Sequence, residues 1–324
     1  MDKLLEVNEL TKRYSQGNVI ARITLTAVDN VSFYIKPAEI FTLAGESGCG
    51  KTTTAKIVIG FEDATSGAIL HSGKQQTSKR KAWITDGVQA IFQDPFSTFN
   101  PLRTVDSYFH ETVQNFRLAN SKQEAIDRID QKLRLVGLTY QEFAGKYPNE
   151  FSGGQLQRIS IARALVTDPK LIIADEPVSA LDVSIQAQVF NLLQDLQQNL
   201  GLTYLFIAHD LSVVKHISKR VAVMYLGKIV ELTEKKVLFR NPLHPYTQAL
   251  ISAIPVLDPD RKKKRIILQG DLPSPVNPPS GCRFHTRCWK AMDICKTTEP
   301  EWMEIAPDHY TMCHLHEACR PAGT

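Results

Sequence analysis

A glycine-rich segment in the first fifth of the chain has the residue types of a phosphate-binding loop. Residues 45–52, GESGCGKT, fit the pattern G-x-x-x-x-G-K-[S/T]. In this pattern the glycines let successive backbone amides point at phosphate oxygens, the lysine adds a full positive charge, and the last hydroxyl can bind Mg²⁺. We therefore predict a nucleotide phosphate site with contacts from Gly45, Ser47, Gly48, Cys49, Gly50, Lys51, Thr52 and Thr53.

Two adjacent carboxylates follow an apolar run that has the character of a buried strand. Residues 171–174 are LIIA, and Asp175 and Glu176 come next. In a phosphate-loop enzyme Asp175 would reach the Mg²⁺ shell and Glu176 would lie beside the water that attacks the γ-phosphate. The two acids could instead cap a following helix. The presence of the phosphate loop favours the catalytic interpretation.

Two further polar residues stand where other apolar runs end. Gln93 follows residues 88–92 and His209 follows residues 202–208. A lone glutamine or histidine in such a place is more often solvated or capping than catalytic. In a parallel α/β sheet, however, ligands bind beyond the carboxyl ends of the strands, so all these side chains would face one crevice.

The elements that must position these residues alternate between strands and helices over the first 250 residues, which predicts an α/β fold with a largely parallel sheet. The predicted strands are residues 39–44, 88–92, 171–174 and 202–208, with a hairpin over 220–226 and 229–233. Ser121 and Glu124 form a capping-box pattern for one helix, and Gly201 ends another that begins at Ser184.

Composition excludes several classes of protein. The 324 residues carry 38 Lys and Arg against 34 Asp and Glu, a net charge of +4 that gives no argument for nucleic acid. The longest uninterrupted apolar run, residues 221–226, is far shorter than a membrane span, and the N-terminus lacks a signal-like apolar stretch, so we expect a cytoplasmic location. The basic run 261–265 is expected to be a solvated patch in a linker.

A second motif, Phe151-Ser-Gly-Gly-Gln155, precedes an amphipathic helix over residues 156–166. With it the chain resembles the ATP-binding-cassette (ABC) ATPases, whose signature usually begins with leucine instead of phenylalanine. The rest of that family's set follows in order: the phosphate loop, a Q-loop at Gln93, the acidic pair, a D-loop at 179–182 and a switch histidine at His209. A simple phosphate-loop kinase, the alternative, would have neither the signature nor the histidine.

The resemblance implies a mechanism. Two cassettes would pair head to tail, with ATP and Mg²⁺ between the phosphate loop of one and the signature of the other, Ser152, Gly153, Gly154 and Gln155. Glu176 would polarise the attacking water, and His209 and Gln93 would sense the γ-phosphate. Thr52, Gln93 and Asp175 are the implied Mg²⁺ residues. Asp182 would contact the other subunit and Tyr14 would stack on adenine, although Tyr14 could be an ordinary strand aromatic.

A narrower resemblance covers nearly the whole chain. The segments 93–101 and 147–152 and the His-Pro-Tyr segment, residues 241–247, resemble the oligopeptide/dipeptide/nickel branch of bacterial import ATPases, as its second ATPase subunit. One departure is Ala38, where that family has glycine; we expect a surface turn to tolerate it. The implied domains are a cassette, residues 1–250, with a helical subdomain at about 94–166, and a C-terminal extension, residues 251–324.

This branch implies partners and a place in the cell. We expect a paralogous ATPase subunit, two transmembrane permease subunits and, indirectly, an extracytoplasmic binding protein, with this chain peripheral at the cytoplasmic face of the membrane. The expected cargo is di- or oligopeptide. Import of nickel or sugars stays open, as does a non-transport cassette of the phosphonate-metabolism or DNA-repair type, which the His-Pro-Tyr segment and the lack of a coiled-coil insertion disfavour.

Five of the six cysteines lie in the C-terminal extension. Their spacing matches neither common zinc sites nor ferredoxins, and a disulfide framework is not expected in a reducing cytoplasm. The resemblance implies a 4Fe-4S cluster on Cys282, Cys288, Cys295 and Cys313. Zinc is the alternative metal, with His285, His309, His314 or His316 in place of a thiolate. Cys319 has no assigned role.

Overall fold

The computed structural model describes residues 3–16, 23–76, 87–255 and 265–319, which leaves most of the basic run outside the described residues. The strands are β1 (Leu5–Gln16), β2 (Ile23–Ile35), β3 (Ile40–Ala44), β4 (Ser66–His71), β5 (Lys74–Gln75), β6 (Val88–Ile91), β7 (Leu171–Asp175), β8 (Thr203–Ala208), β9 (Arg220–Tyr225), β10 (Lys228–Glu234), β11 (Met303–Ala306) and β12 (His309–Thr311).

The helices lie mostly between these strands. The α-helices are α1 (Lys51–Val58), α2 (Val105–Asn115), α3 (Lys122–Leu135), α4 (Tyr140–Phe143), α5 (Gly153–Leu165), α6 (Val183–Leu200), α7 (Leu211–Ile217), α8 (Lys235–Arg240), α9 (Pro245–Ser252) and α10 (Ile294–Thr297). Short 3₁₀ helices cover Phe96–Thr98, Pro148–Glu150, His285–Arg287 and His314–Cys319. In the part of the chain that the structure describes, no helix combines the length and apolar character needed to cross a membrane.

The larger sheet has the strand order β11-β12-β10-β9-β3-β8-β7-β6. Strands β9, β3, β8, β7 and β6 run parallel, which confirms the predicted α/β class. Their side chains alternate between two apolar cores, with Tyr204 and Phe206 in one and Leu205 and Ile207 in the other. Because both faces are covered, these strands are mostly apolar. Their carboxyl ends therefore lie side by side at one edge of the molecule.

A second sheet, β2-β1-β4-β5, is antiparallel. It packs against α1 and the β3 side of the larger sheet, where Phe33 stacks on Phe41 with ring centroids 5.0 Å apart. No sequence pattern described above predicts this sheet. It matters for function because β1 and β2 form one wall of the cleft described below.

Helices α2 to α5, which follow β6 and precede β7 in the chain, pack together. The buried residues of α3, Ala125, Ile129 and Leu133, recur every fourth position, and the predicted cap is present, with Ser121 Oγ accepting from the Glu124 amide at 3.1 Å. The division of the chain into a cassette, a helical subdomain and an extension stays a prediction.

The C-terminal extension adds to the larger sheet. Strand β12 pairs antiparallel with β10, with Glu231 opposite Thr311 and Leu232 opposite Tyr310, and β11 pairs with β12. In the predicted hairpin, β10 therefore pairs with β9 on one side and with β12 of the extension on the other. The extension is joined to the rest of the fold by backbone hydrogen bonds as well as by side chains.

Candidate functional site at the strand ends

The phosphate loop connects β3 to α1 and needs its glycines for two physical reasons. Gly45 has φ 148° and Gly50 has φ 105°, a backbone region that side chains disfavour. A Cβ atom on Gly45 would lie 2.3 Å from the Met224 carbonyl oxygen, and one on Gly50 would lie 2.3 Å from the Ala27 carbonyl oxygen. The loop is thus wedged between β9 and β2, and its backbone path is fixed by neighbours that leave no space for a side chain.

Lys51 curls back into this loop. Its ammonium group donates to the carbonyl oxygens of Gly45 at 2.8 Å and Glu46 at 2.9 Å, and the residue is only 4% exposed. A buried ammonium group held only by neutral carbonyls attracts an anion, because a full negative charge compensates its lost hydration better than a dipole does. The loop therefore fits a phosphate group beside Lys51.

Thr52 and Asp175 bring α1 and the end of β7 together. The Thr52 hydroxyl donates to Asp175 Oδ1 at 3.2 Å. Burial raises the pKa of the Asp175 carboxyl, while this hydrogen bond lowers it and the nearby Glu176 charge raises it. A hydroxyl and a carboxylate are the hard oxygen ligands that Mg²⁺ takes alongside phosphate oxygens, and a cation here would relieve the cost of burying Asp175. The two residues fit the Mg²⁺ that the phosphate loop implies.

Glu176 and His209 meet at the ends of the neighbouring strands β7 and β8. Glu176 Oε2 lies 3.0 Å from His209 Nδ1. Glu176 has a left-handed backbone, φ 45°, and its amide donates to the Ile207 carbonyl at 3.3 Å, so the chain turns sharply where the strand ends. A carboxylate placed this way can accept a proton from a water molecule, and the histidine holds its orientation.

One open cleft brings most of the predicted nucleotide residues together. It is lined by Tyr14, Leu25, Ala27, Ser47, Gly48, Gly50, Lys51, Thr52, Thr53, Gln93, Glu176 and Pro275. The apolar wall from β2 and the proline from the extension were missed by sequence reasoning. Nothing local marks Leu25 or Ala27 as site residues, and Pro275 is one of several prolines in its segment.

Tyr14 stands on β1 at the rim of this cleft. It is 37% exposed, its hydroxyl bonds to Glu62, and the Lys12 ammonium lies 5.0 Å from its ring centroid. Burial, and then the Glu62 carboxylate, raise the pKa of the Tyr14 hydroxyl. An aromatic face available at the cleft mouth fits a stacked base, although the stacking role itself stays a prediction.

The signature segment lies apart from this cleft. Ser152 caps α5, with its Oγ accepting from the Gln155 amide at 3.3 Å and its own amide donating to Gln155 Oε1 at 3.0 Å. Gly153 and Gly154 face Leu181 and Ile185, where Cβ atoms would approach to 3.3 and 2.7 Å. Residues 152–155 are not among the residues that line the cleft. Asp182 caps the neighbouring helix α6 without a side-chain cap bond.

The predicted metal centre on the cysteines is wrong. Within residues 3–16, 23–76, 87–255 and 265–319, no group of three or more His, Cys, Asp and Glu side chains is placed to hold a metal ion, so neither a 4Fe-4S cluster nor zinc is supported. The thiols of Cys282, Cys288, Cys295 and Cys313 are free. Burial raises the pKa of Cys282 to about 11 and of Cys313 to about 12.

The histidines that were alternative ligands have other partners. His309 Nε2 lies 2.8 Å from Glu231 Oε1, His314 lies 2.6 Å from Glu317 Oε1, and His316 Nε2 lies 3.1 Å from the Leu243 carbonyl oxygen. His285 Nδ1 lies 2.9 Å from the Cys282 carbonyl oxygen. These histidines join the extension to itself and to the strands beside it.

Comparison with known proteins gives two family matches. Residues 28–179 match the model described as ABC transporter, and residues 230–295 match the oligopeptide/dipeptide transporter C-terminal region. The chain is 52% identical over 296 residues to the oligopeptide transport ATP-binding protein AppF of Bacillus subtilis, covering 90% of this chain and 89% of that protein. It is 48% identical to the putative oligopeptide transport ATP-binding protein YkfD of the same organism, covering 97% and 95%.

A solved structure gives the same result for the fold. The dimeric post-hydrolysis state of the ATP-binding cassette MJ0796, bound to ADP and Pi, superposes with a TM-score of 0.61 and 28% identity. The match covers 71% of this chain and 98% of that one. The cassette thus accounts for most of the chain.

Proposed function

The chain belongs to the ATP-binding proteins of the ABC transporter family, and we propose that it hydrolyses ATP to drive the import of oligopeptides through a membrane transporter. The observation that carries this proposal is the convergence of Lys51, the Thr52–Asp175 pair and the Glu176–His209 pair at neighbouring strand ends. Those groups supply, at adjoining strand ends, a phosphate cation, two metal-ligating oxygens and a base.

Each side chain has a separate task. Lys51 and the loop amides bind the β- and γ-phosphates, and Glu176 accepts the proton of the attacking water. His209 fixes the Glu176 carboxylate through the 3.0 Å contact, and Gln93, which lines the same cleft, monitors the γ-phosphate position. Thr52 and Asp175, with Gln93 nearby, would hold Mg²⁺, which when bound would neutralise charge on the phosphate oxygens.

The site is completed by a second cassette. Because Ser152, Gly153, Gly154 and Gln155 lie outside the cleft of their own chain, their helix N-terminus serves the ATP bound to a partner. Asp182, at the start of the adjacent helix, would contact that partner. The dimeric structure of the cassette MJ0796 supports a pair of cassettes, and a paralogous subunit in a head-to-tail arrangement is the partner we expect.

The proposed cargo rests on the relatives. AppF and YkfD are oligopeptide transport ATP-binding proteins, and the C-terminal family match belongs to the oligopeptide/dipeptide transporters. We infer that the chain works peripherally at the cytoplasmic face of the membrane, on two permease subunits that receive peptide from an extracytoplasmic binding protein.

The test is purification of the tagged full chain from detergent-solubilised membranes, followed by reconstitution in lipid vesicles. We expect two integral membrane proteins and a second cassette to copurify, and ATP hydrolysis to rise when peptide-loaded binding protein is added. Lys51→Ala is the matched control, since it should copurify and not hydrolyse. A chain that purifies alone, or hydrolysis that responds to a nickel complex or a sugar but not to peptide, would overturn the proposal.

A further inference from the structure

One arginine of the extension reaches the phosphate loop. Arg287 Nη1 lies 2.8 Å from Glu46 Oε2 and Nη2 lies 3.2 Å from Glu46 Oε1, a two-pronged ion pair across 241 positions of sequence. The Arg287 side chain is 9% exposed and that of Glu46 is 30% exposed. Such a shielded, bidentate pair is stronger than an ordinary surface salt bridge.

The backbone of Glu46 is held from a second direction. Its amide donates to the Tyr246 hydroxyl at 2.8 Å. Tyr246 is fully buried beside Tyr225 of β9 and Phe284 of the extension, with ring centroids 4.7 and 5.4 Å away. Tyr225, Tyr246 and Phe284 therefore pack the larger sheet, the His-Pro-Tyr segment and the extension against one another behind the phosphate loop.

Glu46 in turn touches the phosphate-binding lysine. Its carbonyl oxygen accepts from Lys51 Nζ at 2.9 Å, so the position of Glu46 affects where the ammonium group lies. Its carboxylate is also a negative charge inside a loop built to bind phosphates. Unpaired, that charge would repel the nucleotide, because partly buried charges at short range are weakly screened.

We propose that Arg287 is a positioning residue of the nucleotide site, which holds Glu46 in place and neutralises its charge so that the phosphate loop can bind nucleotide phosphates. Tyr246 fixes the same residue through its backbone. The extension would thus support nucleotide binding by the cassette, although Arg287 and Glu46 lie 241 positions apart in the sequence. This inference rests on the proposed function, since it concerns the ATP site of that function.

The test is calorimetric titration of the full chain with Mg·ADP, which measures binding without hydrolysis. Arg287→Ala should weaken binding about tenfold, whereas Glu46→Gln should leave it near the parent value. The double variant Glu46→Gln with Arg287→Ala should recover to within about threefold of the parent, because the repelling charge is gone. In ATP hydrolysis, Arg287→Ala should raise KM and leave kcat unchanged.

Two further variants and a folding control keep the outcome interpretable. Lys296→Ala removes the exposed ion pair with Asp293 in the same extension and should bind Mg·ADP like the parent. Arg287→Lys keeps the positive charge and should fall between the parent and Arg287→Ala. Thermal melting identifies any variant that fails to fold.

If Arg287→Ala binds like the parent, or the double variant binds as weakly as Arg287→Ala, this inference is overturned. Lys51→Ala tests the proposed function separately. Unchanged Mg·ADP binding in Lys51→Ala would contradict the proposed nucleotide site itself. If Lys51→Ala loses binding but Arg287→Ala binds like the parent, only the proposed role of Arg287 is contradicted.

Discussion

The nucleotide cleft and the C-terminal extension place their polar side chains by different means. At the nucleotide site, Lys51 begins α1 directly after the phosphate loop, and Asp175 and Glu176 stand at the end of β7, so regular elements bring these residues together. Where the extension joins β10, Glu231 of that strand accepts hydrogen bonds from the Leu243 and His244 amides at 2.8 and 2.9 Å and lies 2.8 Å from His309 of the extension. The cleft is positioned by regular structure, whereas the junction with the extension is positioned by particular polar contacts.

This difference teaches which substitutions should alter which property. The Glu176 carboxylate contacts the exposed side chain of His209 at the mouth of the site, so the loss of Glu176 should change chemistry more than folding. Glu231 is completely buried and joins three segments, so its loss should change folding more than chemistry.

Glu176→Gln should have the largest effect, a fall in kcat of about a thousandfold, because the amide cannot accept the proton of the attacking water. ATP binding and the free energy of unfolding should change little, and ATP-bound dimer should accumulate in size-exclusion chromatography. Glu234→Gln, an exposed carboxylate on β10, is the matched control and should hydrolyse ATP normally. Turnover that survives in Glu176→Gln would mean that another group is the base.

Glu231→Ala tests the opposite side of the comparison. It leaves two buried amides and His309 without their acceptor, so we expect the free energy of unfolding to fall by about 4 kcal/mol. Urea denaturation monitored by circular dichroism measures this loss. Glu234→Ala, three residues along the same strand and exposed, should stay within about 0.5 kcal/mol of the parent. Equal losses in both variants would contradict the role given to the Glu231 contacts.

The two regions also differ in how far the sequence predicts them. The α/β class, the parallel strands, the β9–β10 hairpin and the Ser121 cap follow from patterns a few residues long, and the structure has them. Strands β1 and β2 pair with several register shifts, so their apolar residues do not alternate regularly and the antiparallel sheet was missed.

The site shows the same limit. Lys51 and Thr52 belong to one short motif, and the acidic pair directly ends a strand, so sequence indicates them well. The Arg287–Glu46 contact spans the chain and leaves no local signal. The metal centre was wrongly predicted because a cysteine can be either a metal ligand or a small apolar side chain. Packing Cys295 and Cys313 in the interior requires only the second property.

Lowering the pH should destabilise the fold through His244, whose amide bonds to Glu231 at the junction with the extension. Burial lowers the pKa of His244 to about 4, with the Glu231 charge opposing and His316 adding to the shift, and its Nδ1 accepts from the Tyr246 amide at 3.1 Å. The unfolded chain takes up a proton near pH 6.5, where the folded chain does not. Stability is therefore complete above pH 6.5 and should fall by about 3 kcal/mol as the pH drops to 4.

The measurement is the free energy of unfolding between pH 7 and 4. His244→Asn keeps a cap acceptor for the helix but cannot titrate, so its loss over this range should be clearly smaller. If His244→Asn and the parent lose the same free energy, other groups cause the acid destabilisation and His244 is not the pH-sensitive residue.

The smallest expected effect concerns Ala38, a departure from the family pattern. Ala38 has φ 52°, a left-handed conformation that costs a residue with a Cβ about 1–2 kcal/mol, and it is fixed there because its amide donates to Thr203 Oγ1 at 2.9 Å and its carbonyl accepts from Gln197 Nε2 at 2.7 Å. Glycine removes that strain but gives the unfolded chain more freedom. Ala38→Gly should therefore raise the free energy of unfolding by about 0.5–1 kcal/mol.

Ala144→Gly is the control, since Ala144 has an ordinary φ of −62° and glycine there should only destabilise, by about 0.5–1 kcal/mol. Both variants are compared with the parent by urea denaturation. Opposite signs at the two alanines would show that the turn before β3 carries a strain that the fold tolerates. Destabilisation at both would mean that the turn at Ala38 holds its conformation without cost, and that alanine is as suitable there as the family's glycine.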